Sequence, residues 1–371
     1  MIPGQTPVSC LFMRGGTSRG PYFLASDLPG DPALRDRVLL SAMGSPDARQ
    51  IDGLGGADPL TSKVAIVSRS NRSGVDLEFL FAQVLIDEAR VDTTPNCGNM
   101  LAGVGPFALE RGLVPAGDSE TTLRILTINT GMLCDVVLQT PGGRITYDGD
   151  ARIDGVPGTS APIKISFLDT AGSVCGKLLP TGNVVDRFDG VPVTCIDNGM
   201  PVVVMRAQDL GRTGYESREA LNADRELKAR IESIRLQAGP AMNLGDVSRK
   251  VVPKMTLIAP PRSGGAVCTR TFIPHDCHAA VGVLGAVTVA SACVLQGSVA
   301  DRVATLPGGR TKLVSVEHPT GEFTVELELQ ENDAQKVARA ALLRTARAIM
   351  RGEVLIPAAV WDGKSSIRLA A

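Results

Sequence analysis

The sequence predicts an α+β protein, rich in sheet and punctuated by turns, and two observations carry that prediction. Short apolar runs with β-branched residues outnumber helical patterns, and Gly, Pro, Asn and Asp separate them. Strands and helices do not alternate regularly, which argues against a doubly wound parallel sheet. A third observation concerns organisation. "NCGNMLAGVGPFALERG" from Asn96 and "DCHAAVGVLGAVTVASA" from Asp276 both open on a cysteine and continue into a small-residue apolar run. Cys97 and Cys277 lie 180 residues apart, as do Gly105 and Gly285, and "SKVAIV" at Ser62 has a looser echo in "PKMTLI" at Pro253. Two readings stay open: coincidence between two Gly/Ala-rich helices, or a duplicated lobe whose strands wrap a buried helix opening onto an interlobe cleft. Duplication places the lobes at residues 1–186 and 187–371, with central helices near 97–111 and 277–297. The boundary then falls in "LLPTGNVVDRFDGVPVTC", and the last residues cross back to the first lobe.

Along the chain, strands are expected at "VSCLFMR", "KVAIVSR", "LEFLFAQVLI", "TLRILTIN", "PIKISFL", "PVVVMR", "KMTLIAP" and "GEFTVELEL". Apolar residues at helical spacing predict amphipathic helices in "PALRDRVLLSAMG", "SREALNADRELKARIESIRLQAG" and, near the end, "AQKVARAALLRTARAIMRGE". The stretch from Ala279 to Ala300 carries no charge and is long enough for a membrane span. It lacks basic and aromatic anchors, so a helix buried in a protein core is the expectation.

Composition excludes several classes. The 38 basic and 39 acidic residues nearly cancel, so no global field favours nucleic acid or an anionic membrane. Any anion recognition is local. "MIPGQTPVSC" does not read as a secretory signal. Eight cysteines without CxxC spacing then read as free thiols in a reducing cytoplasm, with a homodimer as the default assembly.

Four places could carry chemistry. In "MRGGTSRG" the lysine of a P-loop is missing, and Pro21 with aromatics points to a following strand. A bare hairpin explains Gly15 and Gly16 but not Arg14, Thr17 and Ser18, which suit a carboxylate. In "DGLGGADPLTSKVAIV" Lys63 leaves a Gly-rich loop beside Ser62 and enters a buried strand, where desolvation would turn a cation into a usable base. Cys97 opens a helix between Asn96, Gly98 and Asn99; first-turn amides favour thiolate, although a small buried hydrophobe is the common fate of a free cysteine. "HDCH" brings His275 and His278 to Cys277, but no second ligand pair supports zinc, and helix-start polar contacts or substrate binding are expected there instead. No metal or cofactor is expected.

These motifs, with "LLPTGN", "CIDNGMPVV", "MNLGD", "FIPHDCHAAVGVLGAV" and "EHPTGEFTV", resemble the methylaconitate isomerase family from about Ser9 to about Pro357. The resemblance implies a diaminopimelate-epimerase-like fold, two pseudo-symmetric lobes of β-barrel-like sheet around a central apolar helix, with the active site in the interlobe cleft. It also implies cofactor-free proton transfer on a small polycarboxylate. The branch most resembled acts on 4-oxalomesaconate in the breakdown of aromatic acids such as gallate and protocatechuate; relatives isomerise 2-methylaconitate or 3-methylitaconate. Carried over by residue, the resemblance makes Lys63 and Cys97 catalytic. Arg14, Gly15, Gly16, Thr17, Ser18, Ser62, Asn96, Gly98 and Asn99 become binding residues, joined from the C-terminal half by Asn198, Arg270, His275, Cys277 and His278. Two departures stand out. "DCHAAVG" lacks the Gly-Thr-Gly pattern that follows the second cysteine in the epimerases, and Arg19 stands where many members have lysine.

Overall fold

A computed structural model of the protein describes residues 3–168, 170–331 and 333–363. Contacts divide the chain into two compact units, Met1–Ile165 with Arg344–Ala371, and Ser166–Leu343. This division falls ahead of the 186/187 boundary read from the sequence. The strands up to the passage between units are β1 (Gln5–Gly15), β2 (Ser18–Leu24), β3 (Lys63–Arg69), β4 (Leu77–Val84), β5 (Val91–Asp92), β6 (Glu120–Thr127), β7 (Met132–Gln139) and β8 (Ile163–Phe167). Then come β9 (Asp186–Phe188), β10 (Val191–Asp197), β11 (Pro201–Arg206), β12 (Lys254–Ala259), β13 (Val267–Phe272), β14 (Thr311–His318), β15 (Gly321–Gln330) and β16 (Asp333–Arg344), and the chain returns through β17 (Ala346–Pro357). The helices are α1 (Pro32–Met43), α2 (Gly98–Leu101), α3 (Val104–Glu110), α4 (Arg218–Ala223), α5 (Arg225–Ala241) and α6 (Val283–Val294).

In the first unit β17 pairs antiparallel with β1, and pairing continues β1–β2 antiparallel, β2–β3 parallel, β3–β4 antiparallel, β4–β6 parallel and β6–β7 antiparallel. In the second, β10–β11 is antiparallel, β11–β12 parallel, β12–β13 antiparallel, β13–β14 parallel and β14–β15 antiparallel. The two runs alternate alike, and each parallel pair is bridged by helix: α1, then α2 and α3, in one unit, and α4 and α5, then α6, in the other. Parallel strands need such crossovers, whereas antiparallel neighbours need only turns.

Local chemistry explains the helix boundaries. Asp31 caps α1 by accepting the Leu34 amide at 2.8 Å, Pro32 fills the first position, and Gly44 ends the helix in the left-handed region with φ 75°. The predicted 23-residue helix from Ser217 is two, because Asp224 ends α4 and caps α5 through the Leu227 amide. Val38, Leu39, Ala42 and Met43 of α1 pack on Phe23, Val64 and Ile66 in the first unit's core. In the second unit Leu227, Ile231, Ile234 and Ala238 of α5 pack on β10, β11 and β12 residues. Every residue of α6 from Gly285 to Val294 is buried, and the helix packs on β10, β11, β14 and β15. A helix apolar all round belongs in such a core. Among the described residues no helix is long and apolar enough to cross a membrane.

Two expectations are corrected. "AQKVARAALLRTARAIMRGE" is not a helix but most of β16 and β17. Its Ala, Arg and Lys favour helix locally, but β16 pairs with β15 and β17 pairs with β1 over the whole of β1. Tertiary pairing of that extent overrides propensity. The second apolar helix starts at Val283, not at Cys277. The Ile273 amide bonds to Asp276 O and the His278 amide to Thr271 O, so the chain turns back on β13 before the helix can begin.

Candidate active site

In the first unit, Gly16 and Thr17 form the two-residue turn of the β1–β2 hairpin, with Gly15 paired to Ser18. Gly16 has φ 52°, a conformation that glycine adopts without a Cβ penalty. The turn also lies against the start of α2. A Cβ at Gly15 would lie 2.4 Å from Asn99 O, and one at Gly16 would lie 2.2 Å from Asn99 Oδ1. The glycines thus make room for a helix, and Asn99 Nδ2 donates across the junction to Thr17 Oγ1 at 2.9 Å and Ser18 Oγ at 3.4 Å. Asn99 Oδ1 is buried and accepts no hydrogen bond among the described residues.

Cys97 is the N-cap of α2, in extended conformation, with its carbonyl accepting the Leu101 amide at 2.9 Å. It is half-buried, whereas the other seven cysteines are buried. Asn96 donates from Nδ2 to Thr130 Oγ1 beside it, and its Oδ1 is also buried without a partner. Under the helix start lies fully buried Tyr22, which donates to Met100 O at 2.7 Å. Burial first, and then the neighbouring Cys97, push the Tyr22 phenol well up from its ordinary value, so it stays a neutral donor. A side chain at Gly103 would begin 2.3 Å from Tyr22 Oη, so the helix closes directly onto the ring.

Lys63 is the first residue of β3 and is 9% exposed. Its Nζ donates to Gln83 Oε1 at 2.6 Å and lies 4.9 Å from the centre of the Phe81 ring. Gln83 is held in turn by donating to Pro59 O at 3.1 Å and Ser62 O at 2.9 Å. Among the described residues Lys63 faces no carboxylate. α2 packs on β1, β2 and β3, so the glycine turn, the thiol and the lysine strand belong to one helix–sheet junction.

The other candidates have contacts of their own within the protein. Arg14 Nη1 donates to Gly16 O at 2.8 Å and to Thr345 O and Oγ1 at 3.1 and 3.0 Å, bracing the turn against the returning chain. Burial, reinforced by Arg347, lowers the pKa of its guanidinium. Ser62 is buried, accepts from Gln50 at 2.7 Å and donates to Val84 O at 2.8 Å, which makes it a link in the strand rather than an open contact.

In the second unit, Asn198 is buried between Thr170, which donates to its Oδ1 at 2.6 Å, and Ser291 of α6, which accepts from its Nδ2 at 2.8 Å. Arg270 donates to Glu216 O at 2.8 Å and Thr269 O at 2.8 Å, and lines a cavity of about 230 Å³ with Arg218, Ala279 and Thr320. His275 is exposed, with Nδ1 3.5 Å from Glu232 Oε2. Cys277 is fully buried in a bridge with Phe272, and burial pushes its thiol up to about 11. His278 is exposed, and partial burial, then Lys254 and Arg218, lower its imidazole. Sequence reasoning missed Gln83 and Tyr22. A polar residue at an inward position of "LEFLFAQVLI" was the available signal for Gln83; Tyr22 had none.

A sheet-rich α/β chain with a buried lysine opening one strand and a half-buried thiol capping the helix beside it defines a recognisable class. A crystal structure of a methylitaconate-delta-isomerase superposes with TM-score 0.86 at 36% identity, covering 98% of both chains. The chain belongs to the PrpF protein family, whose pattern matches residues 5–357. It is 62% identical over 347 residues to (4E)-oxalomesaconate Delta-isomerase of Novosphingobium sp. (strain KA1), covering 94% of this chain and 97% of that one. It is 58% identical over 360 residues to 4-oxalomesaconate tautomerase of Pseudomonas putida, covering 97% and 99%. 3-Methylitaconate isomerase of Eubacterium barkeri is 38% identical, with 95% and 98% covered.

Proposed function

We propose that the protein is an isomerase of 4-oxalomesaconate that moves a proton along the carbon skeleton without a cofactor. The observation that carries the substrate is the step in identity: relatives named for 4-oxalomesaconate stand at 62% and 58%, those named for methylitaconate and methylaconitate at 38% and 35%. In this reading the two units are duplicated lobes, in keeping with their like alternation of pairings, and the enzyme works in the cytoplasm on products of aromatic-acid breakdown.

Lys63 takes the acidic C–H proton next to the conjugated system. The electron pair of that bond enters a dienolate, and delivery of a proton at the far carbon completes a 1,3-shift with no net change in atoms. Cys97 returns or assists the proton, and the donors at the α2 junction stabilise the anion. Donors already held in place cost no reorganisation when charge develops, which makes them the largest expected contribution. Turnover of 4-oxalomesaconate, 2-methylaconitate and 3-methylitaconate compared at equal enzyme tests the substrate. Preference for either methyl compound would move the protein to the sister activity.

A further inference from the structure

We infer that Lys254, His278 and Arg218 form a carboxylate-binding site in the second unit. Lys254 opens β12 as Lys63 opens β3, and both strands pair in parallel with the strand before them. Lys63 has the Gln83 amide; Lys254 has no hydrogen-bond or ion-pair partner among the described residues. Its Nζ would lie 3.4 Å from a Cβ at Gly282, an ordinary contact distance that places the ammonium beside the N-cap of helix α6, where no side chain caps the helix. Burial lowers the pKa of this ammonium.

The surroundings are cationic. His278 feels both Lys254 and Arg218, and Arg218 is anchored by donating to Cys277 O at 3.1 Å. The acids nearby are already engaged: Asp276 takes Lys228 at 2.8 Å, and Glu219 is held in the first turn of α4 by Ser217. Lys254 is half-buried, so its ammonium is partly desolvated, and among the described residues no carboxylate pairs with it to offset that cost. An incoming carboxylate would, with the imidazole and guanidinium completing a charge-assisted set. The identification of the anion as one carboxylate of a small polycarboxylate rests on the function proposed above; the cationic site itself does not.

The test uses tricarballylate, an unreactive tricarboxylate, with the full-length protein. The chain has three histidines, so the His278 ring signal can be followed by proton NMR as tricarballylate is added, with affinity measured by calorimetry. The expected result is a His278 titration displaced to higher pH on binding, because an opposing carboxylate favours imidazolium. Lys254→Met should weaken affinity about tenfold or more and remove the displacement, while Lys254→Arg stays within about threefold. Should Lys254→Met not fold, Arg218→Gln, whose side chain is exposed, carries the same expectation more weakly, at about threefold. A His278 signal unmoved at saturation, or wild-type affinity in folded Lys254→Met, would overturn the site. Parallel turnover of 4-oxalomesaconate separates the two ideas. Binding through His278 without turnover would sink the proposed function and keep the site; turnover with a silent His278 would do the reverse.

Discussion

Replacing Gly15 by alanine isolates the packing that seats the thiol. The new methyl would lie 2.4 Å from Asn99 O and 2.7 Å from Tyr22 Oη, about 1 Å short of ordinary contact with the backbone oxygen. Neither neighbour yields easily, since one is helix backbone and the other is buried and bonded to Met100 O. The relief is a shift of α2 by roughly that 1 Å, carrying Cys97 and Asn99 with it. Overpacking of this kind costs about 1–3 kcal/mol of stability. Displacing reacting groups by ~1 Å costs on the order of 100-fold in rate. Urea unfolding with a fitted slope measures the first and kcat on 4-oxalomesaconate the second. A Gly15→Ala protein within about 0.5 kcal/mol of wild type and within twofold in kcat would refute the claim that the glycine turn positions the thiol.

Lys63→Ala should lower kcat by about 10²–10⁴, the usual contribution of a positioned base, and Gln83→Leu by about tenfold, both read by steady-state kinetics. Iodoacetamide at pH 8 with peptide mass spectrometry should label Cys97 in the folded protein and leave Cys277 untouched. With its thiol held near 11, Cys277 is about 0.1% thiolate at that pH, and it is buried as well. Asn198→Ala should leave the Thr170 hydroxyl without its acceptor, while Ser291 keeps its bond to Val287 O, and should cost about 1–3 kcal/mol in urea unfolding with kcat of the folded enzyme near wild type.

Much of this architecture is readable in the residues because local and tertiary demands agree. "PALRDRVLLSAMG" carries its own cap, first-turn proline and terminal glycine, and it folds as α1. Asn96–Asn99 forms a helix start because extended Cys97 is followed by Gly98, and Asn99 then fits against the glycine turn. The reading failed where a distant partner decides. Nothing local tells the segment from Ala334 that β1 and β15 await it as edges to pair. Cys97 and Cys277 differ in local setting: the first caps a helix, and the second is buried in a turn that folds back on β13. Arg14, Ser62 and Asn198 show the same limit for sites. Residue type marks them as ligands for an anion, while the partners they also have within the protein, Thr345, Val84 and Ser291, come from remote parts of the chain and are not legible locally.

The central claim is that Lys63 moves a proton on 4-oxalomesaconate. Proton NMR of the reaction in D₂O, with wild type beside Lys63→Ala and Cys97→Ser, addresses it most directly. The expected result is deuterium entering one carbon of the product as it forms, incorporation slowed at least about 100-fold with Lys63→Ala, and slowed incorporation with Cys97→Ser. Turnover by Lys63→Ala at the wild-type rate would contradict it, as would product from the wild-type enzyme with no deuterium in Lys63-dependent exchange at any substrate concentration.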